Sequence, residues 1–99
     1  MHYKIILHPD VINKDFKCLS KTQIGLVFKQ LKKLQTSPEL GKLLGNQSGY
    51  DLSGYRKMYV DKKKIRIVYS IVEEIITVEV IAVGKRDDME VYQKAAIRR

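Results

Sequence analysis

Apolar positions change their spacing along this chain, and the changes mark where helix gives way to sheet. From Tyr3 to Leu7, aromatic, β-branched and aliphatic residues run together and stop at His8-Pro9, which predicts a first strand. Pro9 suits the opening turn of a helix. From Asp10 to Leu19 the apolar residues Ile12, Phe16 and Leu19 fall at helical spacing, leaving Lys14, Asp15 and Lys17 for solvent. Ser20-Lys21-Thr22-Gln23 then matches a capping box, in which the serine oxygen accepts an orphan amide and the glutamine reaches back to the cap. A second helix is predicted there. Its stripe is Ile24, Val27, Phe28, Leu31 and Leu34, with Lys29, Gln30, Lys32 and Lys33 on the opposite side. Pro38 disfavours helical geometry at Ser37 and sets its limit.

Periodicity then lapses. Between Gly41 and Gly54 lie four of the six glycines, with Asn46, Gln47 and Ser48, and the segment reads as a loop. Tyr55 to Val60 and Ile65 to Val72 are separated by Asp61-Lys62-Lys63-Lys64, a polar turn that makes a hairpin. Glu73-Glu74 supply a second turn, and Ile75 to Val83 is the chain's richest β-branched run, expected as a central strand that stops at Gly84. Asp87 to Arg98 carries acids first and bases last, as a helix dipole favours, with Val91, Ala95 and Ile97 or Ala96 facing inward. The predicted order is β-α-α-β-β-β-α. That is an α+β fold, a largely antiparallel sheet with helices packed on it.

At 99 residues the chain fits one small domain over its whole length, residues 1–99. Apolar residues form 44% of it and charged ones 30%, too apolar a balance for a disordered protein. Nineteen Lys and Arg against eleven Asp and Glu give a net charge of +8, which favours polyanionic partners: nucleic acid, or an acidic protein. Surplus lysine also serves plain solubility, so charge alone does not choose. A single cysteine, Cys18, permits no intrachain disulfide or Cys-based zinc site and reads as a small buried hydrophobe in a reducing compartment. The first residues lack a small-residue cleavage site, and no apolar run is long enough to span a membrane; a cytoplasmic location is expected.

One cluster points to a chemistry. Gly84-Lys85-Arg86, followed by Val91-Tyr92, comes just after the last strand-forming run. Strand alternation puts Lys57 and Tyr59 on one side of the hairpin's first strand and Arg66 on one side of its second, so the hairpin can present all three on a common face. Cleaving RNA needs a base for the attacking 2′-hydroxyl, positive charge for the phosphate oxygens and an acid for the leaving oxygen. Arginine suits the second need because its planar fork donates two parallel hydrogen bonds. A phenol such as Tyr92 can orient a phosphate or stack on an unpaired base.

From Leu52 to Arg98 the chain resembles the RelE toxins of bacterial toxin–antitoxin modules. The resemblance rests on Ile65-Arg66-Ile67-Val68-Tyr69, on Ile81-Ala82-Val83-Gly84-Lys85-Arg86, and on Glu90-Val91-Tyr92 followed by Ala95 and Arg98. It implies ribosome-dependent cleavage of messenger RNA in the decoding site, with no metal or cofactor and with an acidic antitoxin as partner. Carried across by position, it implies catalytic roles for Lys57, Arg66, Arg86 and Tyr92, with Lys57 as base, the two arginines on the phosphate and Tyr92 positioning the substrate. Where that family tends to place a second basic residue, this chain has Tyr59. RNA contacts are expected from Tyr59, from the turn lysines Lys62, Lys63 and Lys64, and from Lys85.

Other uses of these residues exist. Arg86 and Glu90 lie four apart, the spacing of a surface ion pair; Tyr92 could cap the core; Arg66 could pair across strands with Glu79 or Glu73. His2 and His8 lack metal-site spacing, and no phosphate loop, dinucleotide fingerprint or nucleophile triad is present. Two further functions fit a basic domain of this kind: a ParE-type toxin that inhibits DNA gyrase by binding, and an accessory protein that binds RNA without cutting it.

Overall fold

Alternating residues at 55–72 form the hairpin expected of them, and it makes the middle of a five-stranded sheet. The computed structural model describes residues 2–47, 49–85 and 90–99. Its strands are β1 (Lys4–Leu7), β2 (Lys42–Leu43), β3 (Asn46–Gln47), β4 (Tyr50–Asp51), β5 (Tyr55–Val60), β6 (Ile65–Val72) and β7 (Thr77–Lys85). The main sheet runs β1-β7-β6-β5-β2, while β3 and β4 pair separately. All main-sheet pairs are antiparallel except β1, which lies parallel to β7. The segment expected as a loop from Gly41 to Gly54 therefore contains three two-residue strands, too short to show any hydrophobic period.

Hairpin register decides the two faces. Met58 opposes Ile67 and Val60 opposes Ile65, and these four, with Tyr69, bury against Val27, Leu31 and Leu34 of helix α2 (Lys21–Leu34). On the other face Val68, Ile81 and Ala82 meet Val91, Tyr92 and Ala95 of helix α3 (Glu90–Arg98), with Leu44 and Leu52 closing the edge. Between Val68 and Tyr69 the β6–β7 register slips: Val68 opposes Ala82 but Tyr69 opposes Val80, leaving Ile81 as a bulge. The extra residue lets Ile81 and Ala82 both join the α3 cluster while Val80 and Val83 both serve the α2 cluster.

Both N-terminal helices start on side-chain caps. His8 Nδ1 accepts from the Asp10 amide at 3.1 Å ahead of α1 (Pro9–Asn13), and the Ser20–Gln23 capping box of α2 forms with both bonds at 3.1 Å. The single helix expected from Asp10 to Leu19 is broken. At Lys14 the backbone turns to φ −123°, ψ −54°, and a 3₁₀ turn follows over Asp15–Cys18. That break rotates the buried face. Val11 goes fully inside, Ile12 stays 53% exposed, Asp15 falls to 1% exposure instead of facing solvent, and Cys18 is exposed rather than buried.

Two later boundaries also move. Glu73–Ile75 form a 3₁₀ turn closed by Ile76 at φ 47°, so the last strand begins at Thr77, and it continues through Gly84 to Lys85. In α3, Ala96 is half-buried and Ile97 is exposed, so Ala96 is the inner residue of that pair.

Gly41 fixes the short edge strand. A Cβ there would sit 2.5 Å from the Tyr69 hydroxyl and 2.7 Å from the Lys57 carbonyl, so only glycine lets β2 approach β5. The buried Tyr69 hydroxyl donates to the Pro38 carbonyl at 2.6 Å and accepts from the Gly41 amide at 2.8 Å, which anchors the same crossing.

Candidate active site

Period-two alternation sends Lys57 and Tyr59 to the α3 face of β5, and register sets Tyr59 directly opposite Arg66. Lys57 Nζ donates to the Tyr59 hydroxyl at 3.3 Å and Arg66 NH2 donates to the same oxygen at 3.5 Å. Helix α3 adds Tyr92, whose ring centre lies 4.4 Å from the Arg66 guanidinium carbon; the Tyr59 ring lies 5.6 Å from it. The structure therefore brings together four of the side chains singled out from the sequence: Lys57, Tyr59, Arg66 and Tyr92.

Arg66 has the least ordinary surroundings. It is 7% exposed, and its Nε and NH1 are buried without a hydrogen-bond partner among the described residues. Neither expected carboxylate pairs with it. Glu79 stands across from Ser70, and Glu73 accepts from the Tyr3 hydroxyl. A buried cation without a counter-ion is costly, and aromatic faces offset only part of that cost. Tyr92 serves two ends at once, being 3% exposed within the α3 cluster while stacked on Arg66.

The two cations act on Tyr59. Its phenol is lowered to about 8, first by the hydrogen bond from Arg66, against the opposing effect of burial, then by the hydrogen bond from Lys57 and the charges of both. Beside it opens a depression of about 480 Å³ lined by Leu40, Lys42, Lys57, Met58, Tyr59 and Lys63. Its charged lining is wholly cationic.

Lys62, Lys63 and Lys64 are exposed on the hairpin turn, of which Lys63 reaches the depression. Asp61, Lys62 and Lys63 all take positive φ, 54°, 54° and 68°, so the tip is a strained, tightly curled presentation of charge. Lys85 is exposed at the end of β7, opposite Ile65. Arg86, and with it the Arg86–Glu90 ion-pair alternative, lies outside the described residues. His8 is a helix cap, and among the described residues no three His, Cys, Asp or Glu side chains gather as metal ligands.

A second cluster, unforeseen from the sequence, holds α3 in place. Asp15, with a side chain fully buried, accepts from Arg98 NH1 at 2.8 Å and NH2 at 3.0 Å, from the Val83 amide at 2.9 Å and from Lys94 Nζ at 3.4 Å. Arg98 also donates to the Ile81 carbonyl at 3.0 Å and lies 3.7 Å from Asp10. These contacts seat the helix that carries Tyr92. Nothing local announced them, because the partners are far apart in sequence.

Comparison with known proteins follows this geometry. No protein-family model matches the chain. A RelE-like toxin protein of Escherichia coli is 30% identical over 99% of this chain and 98% of its own length. The mRNA interferase toxin RelE of Escherichia coli strain K12 is 33% identical over 86% of this chain and 85% of its own. Among solved structures, a doubly substituted Escherichia coli toxin RelE in the free state superposes with a TM-score of 0.78 at 28% identity, covering 99% of this chain and 98% of that one. The same mutant toxin in complex with a peptide of the antitoxin RelB gives 0.72 at 28% identity, covering 96% and 95%.

Proposed function

The chain belongs to the RelE family of toxins, and from that premise we propose that it is the toxin of a type II toxin–antitoxin module, a ribosome-dependent endoribonuclease that cuts messenger RNA and halts translation. All 99 residues form the one toxin domain, it works in the cytoplasm where message and ribosomes meet, and an acidic antitoxin neutralises it. The net charge of +8 suits both a ribosomal RNA surface and an acidic antitoxin.

One observation carries the reading: Arg66 is a buried guanidinium with two unpartnered donors and no carboxylate beside it among the described residues. A phosphodiester supplies the missing acceptors in the plane of the fork. Reaching Nε and NH1 requires the rings lying across the guanidinium to shift, so substrate entry is coupled to Tyr92 and its helix. In this proposal the 2′-hydroxyl attacks the adjacent phosphorus, the bond to the 5′-oxygen breaks, and a cyclic phosphate remains. Arg66 and Arg86 hold the phosphate as its oxygens gain charge, and Arg86 assists the departing oxygen. Lys57 adds charge beside the attacking oxygen, Tyr92 positions the nucleotide, and Tyr59, Lys62, Lys63, Lys64 and Lys85 contact RNA. No cofactor enters the scheme.

The test is to add purified protein to translating ribosomes and map breaks in the message, with gyrase supercoiling followed in parallel. Breaks at the codon in the decoding site are expected, reduced about a hundredfold or more by Arg86→Ala or Arg66→Ala. No breaks from the wild type would reject the nuclease, and gyrase inhibition in their place would mark a ParE-type toxin.

A further inference from the structure

Tyr59 stands where the resemblance to RelE toxins implies a second basic residue, and its surroundings give it a different capability. Its oxygen accepts from two cations, Lys57 at 3.3 Å and Arg66 at 3.5 Å. Both cations also lie against its ring, Lys57 Nζ at 5.4 Å and the Arg66 carbon at 5.6 Å from the centre. A phenol oxygen that receives charge-assisted bonds from two donors is held as an acceptor, the arrangement that favours phenolate over phenol. Lys57, the other candidate base, points its ammonium at that oxygen and spends a donor there.

Resting on the ribonuclease reading above, we propose that Tyr59 is the general base of the reaction and that Lys57 and Arg66 maintain its anionic form. The phenolate takes the proton of the 2′-hydroxyl. The freed 2′-oxygen bonds to phosphorus, the bond from phosphorus to the 5′-oxygen breaks, and that oxygen takes a proton from water. Loss of a proton from the resulting tyrosine to solvent restores the phenolate, so the cycle neither gains nor loses protons.

Acidity supports the geometry. With the phenol near 8, roughly a quarter of it is ionised at pH 7.5, against about 0.3% for an unperturbed tyrosine. Among the described residues, charged groups facing this oxygen or its depression include Arg66 on β6, Lys57 on its own strand, Lys42 on β2 and Lys63 on the turn, and Tyr92 on α3 is an uncharged titratable neighbour. The one nearby acid of the turn, Asp61, accepts a hydrogen bond from Gln23 at 3.2 Å.

The decisive measurement is the pH profile of single-turnover cleavage on programmed ribosomes, with ribosome affinity measured alongside. Wild type is expected to rise with pH along a limb centred near 8. Tyr59→Phe, which keeps the ring against both cations, is expected to lose about a hundredfold or more in the single-turnover rate at saturating ribosome and to lose the limb, a loss far larger than any change in ribosome affinity. Incorporating 3-fluorotyrosine at position 59, a more acidic phenol, shifts the limb to lower pH. If Tyr59→Phe keeps its rate and its limb, or the fluorinated protein keeps the wild-type limb, the base is another group and this inference falls while the nuclease stands. If the wild type cuts nothing, both fall.

Discussion

Arg66 carries its charge where a neutral side chain would fold more easily, so substitution there sets stability against activity. Arg66→Met keeps length and apolar contact with Tyr92 but removes a buried guanidinium whose Nε and NH1 have no hydrogen-bond partner among the described residues. The variant is expected to be about 1 kcal/mol more stable in urea unfolding, with no change in slope, and to have no measurable cleavage. A loss of stability would mean that stacking over the two rings outweighs the desolvation of the charge. The sequence put Arg66 on a common face with Lys57 and Tyr59, where the structure has it, but the carboxylates offered to it as partners do not pair with it. Cross-strand carboxylates are the common partners of a strand arginine, but Glu79 lies on β7 opposite Ser70, four residues along β6 from Arg66, which itself faces Gly84.

At the scale of elements, the buried carboxylate of Asp15 is a main fastening of α3. Asp15→Ala would leave Arg98, whose side chain is 6% exposed, with Asp10 at 3.7 Å as its remaining acid among the described residues. A cost of about 3 kcal/mol is expected. Hydrogen exchange should show the α3 amides losing protection before those of β6, and cleavage should fall because Tyr92 leaves Arg66. Unchanged α3 protection would show that Val91, Tyr92 and Ala95 hold the helix without the ion pair. This latch was illegible in the sequence because Asp15 sits within an apparently amphipathic helix, and its solvent-facing assignment assumed that the helix was continuous. The kink at Lys14 is a tertiary choice that periodicity does not encode. The hairpin, by contrast, was legible to the residue. Its strands are rich in β-branched and aromatic residues, a polar turn separates them, and the two-residue period of any strand then sets which side chains share a face. Gly41 to Gly54 stayed obscure for the opposite reason, since pairs of residues held by edge contacts carry no period.

For the molecule as a whole, charge governs how it meets RNA. Replacing Lys62, Lys63 and Lys64 with glutamine should weaken ribosome binding at every message sequence and flatten the dependence of log affinity on log salt by about 2, with chemistry at saturation little changed. A salt titration of binding checks this, and an unaltered slope would remove the turn from the RNA interface. The net charge was plain from composition; which turn lysine reaches the depression depended on the curl of the turn. Topology has a consequence of its own. Strand β1 lies beside β7, and Asp15 finds Arg98 across 83 residues. While the polypeptide is being translated, neither the sheet nor its last helix can close until those distant codons have been read. If the proposed function holds, a nascent chain abandoned partway lacks both the closed sheet and the seated α3, and so has no complete pocket to turn on the machine that was making it.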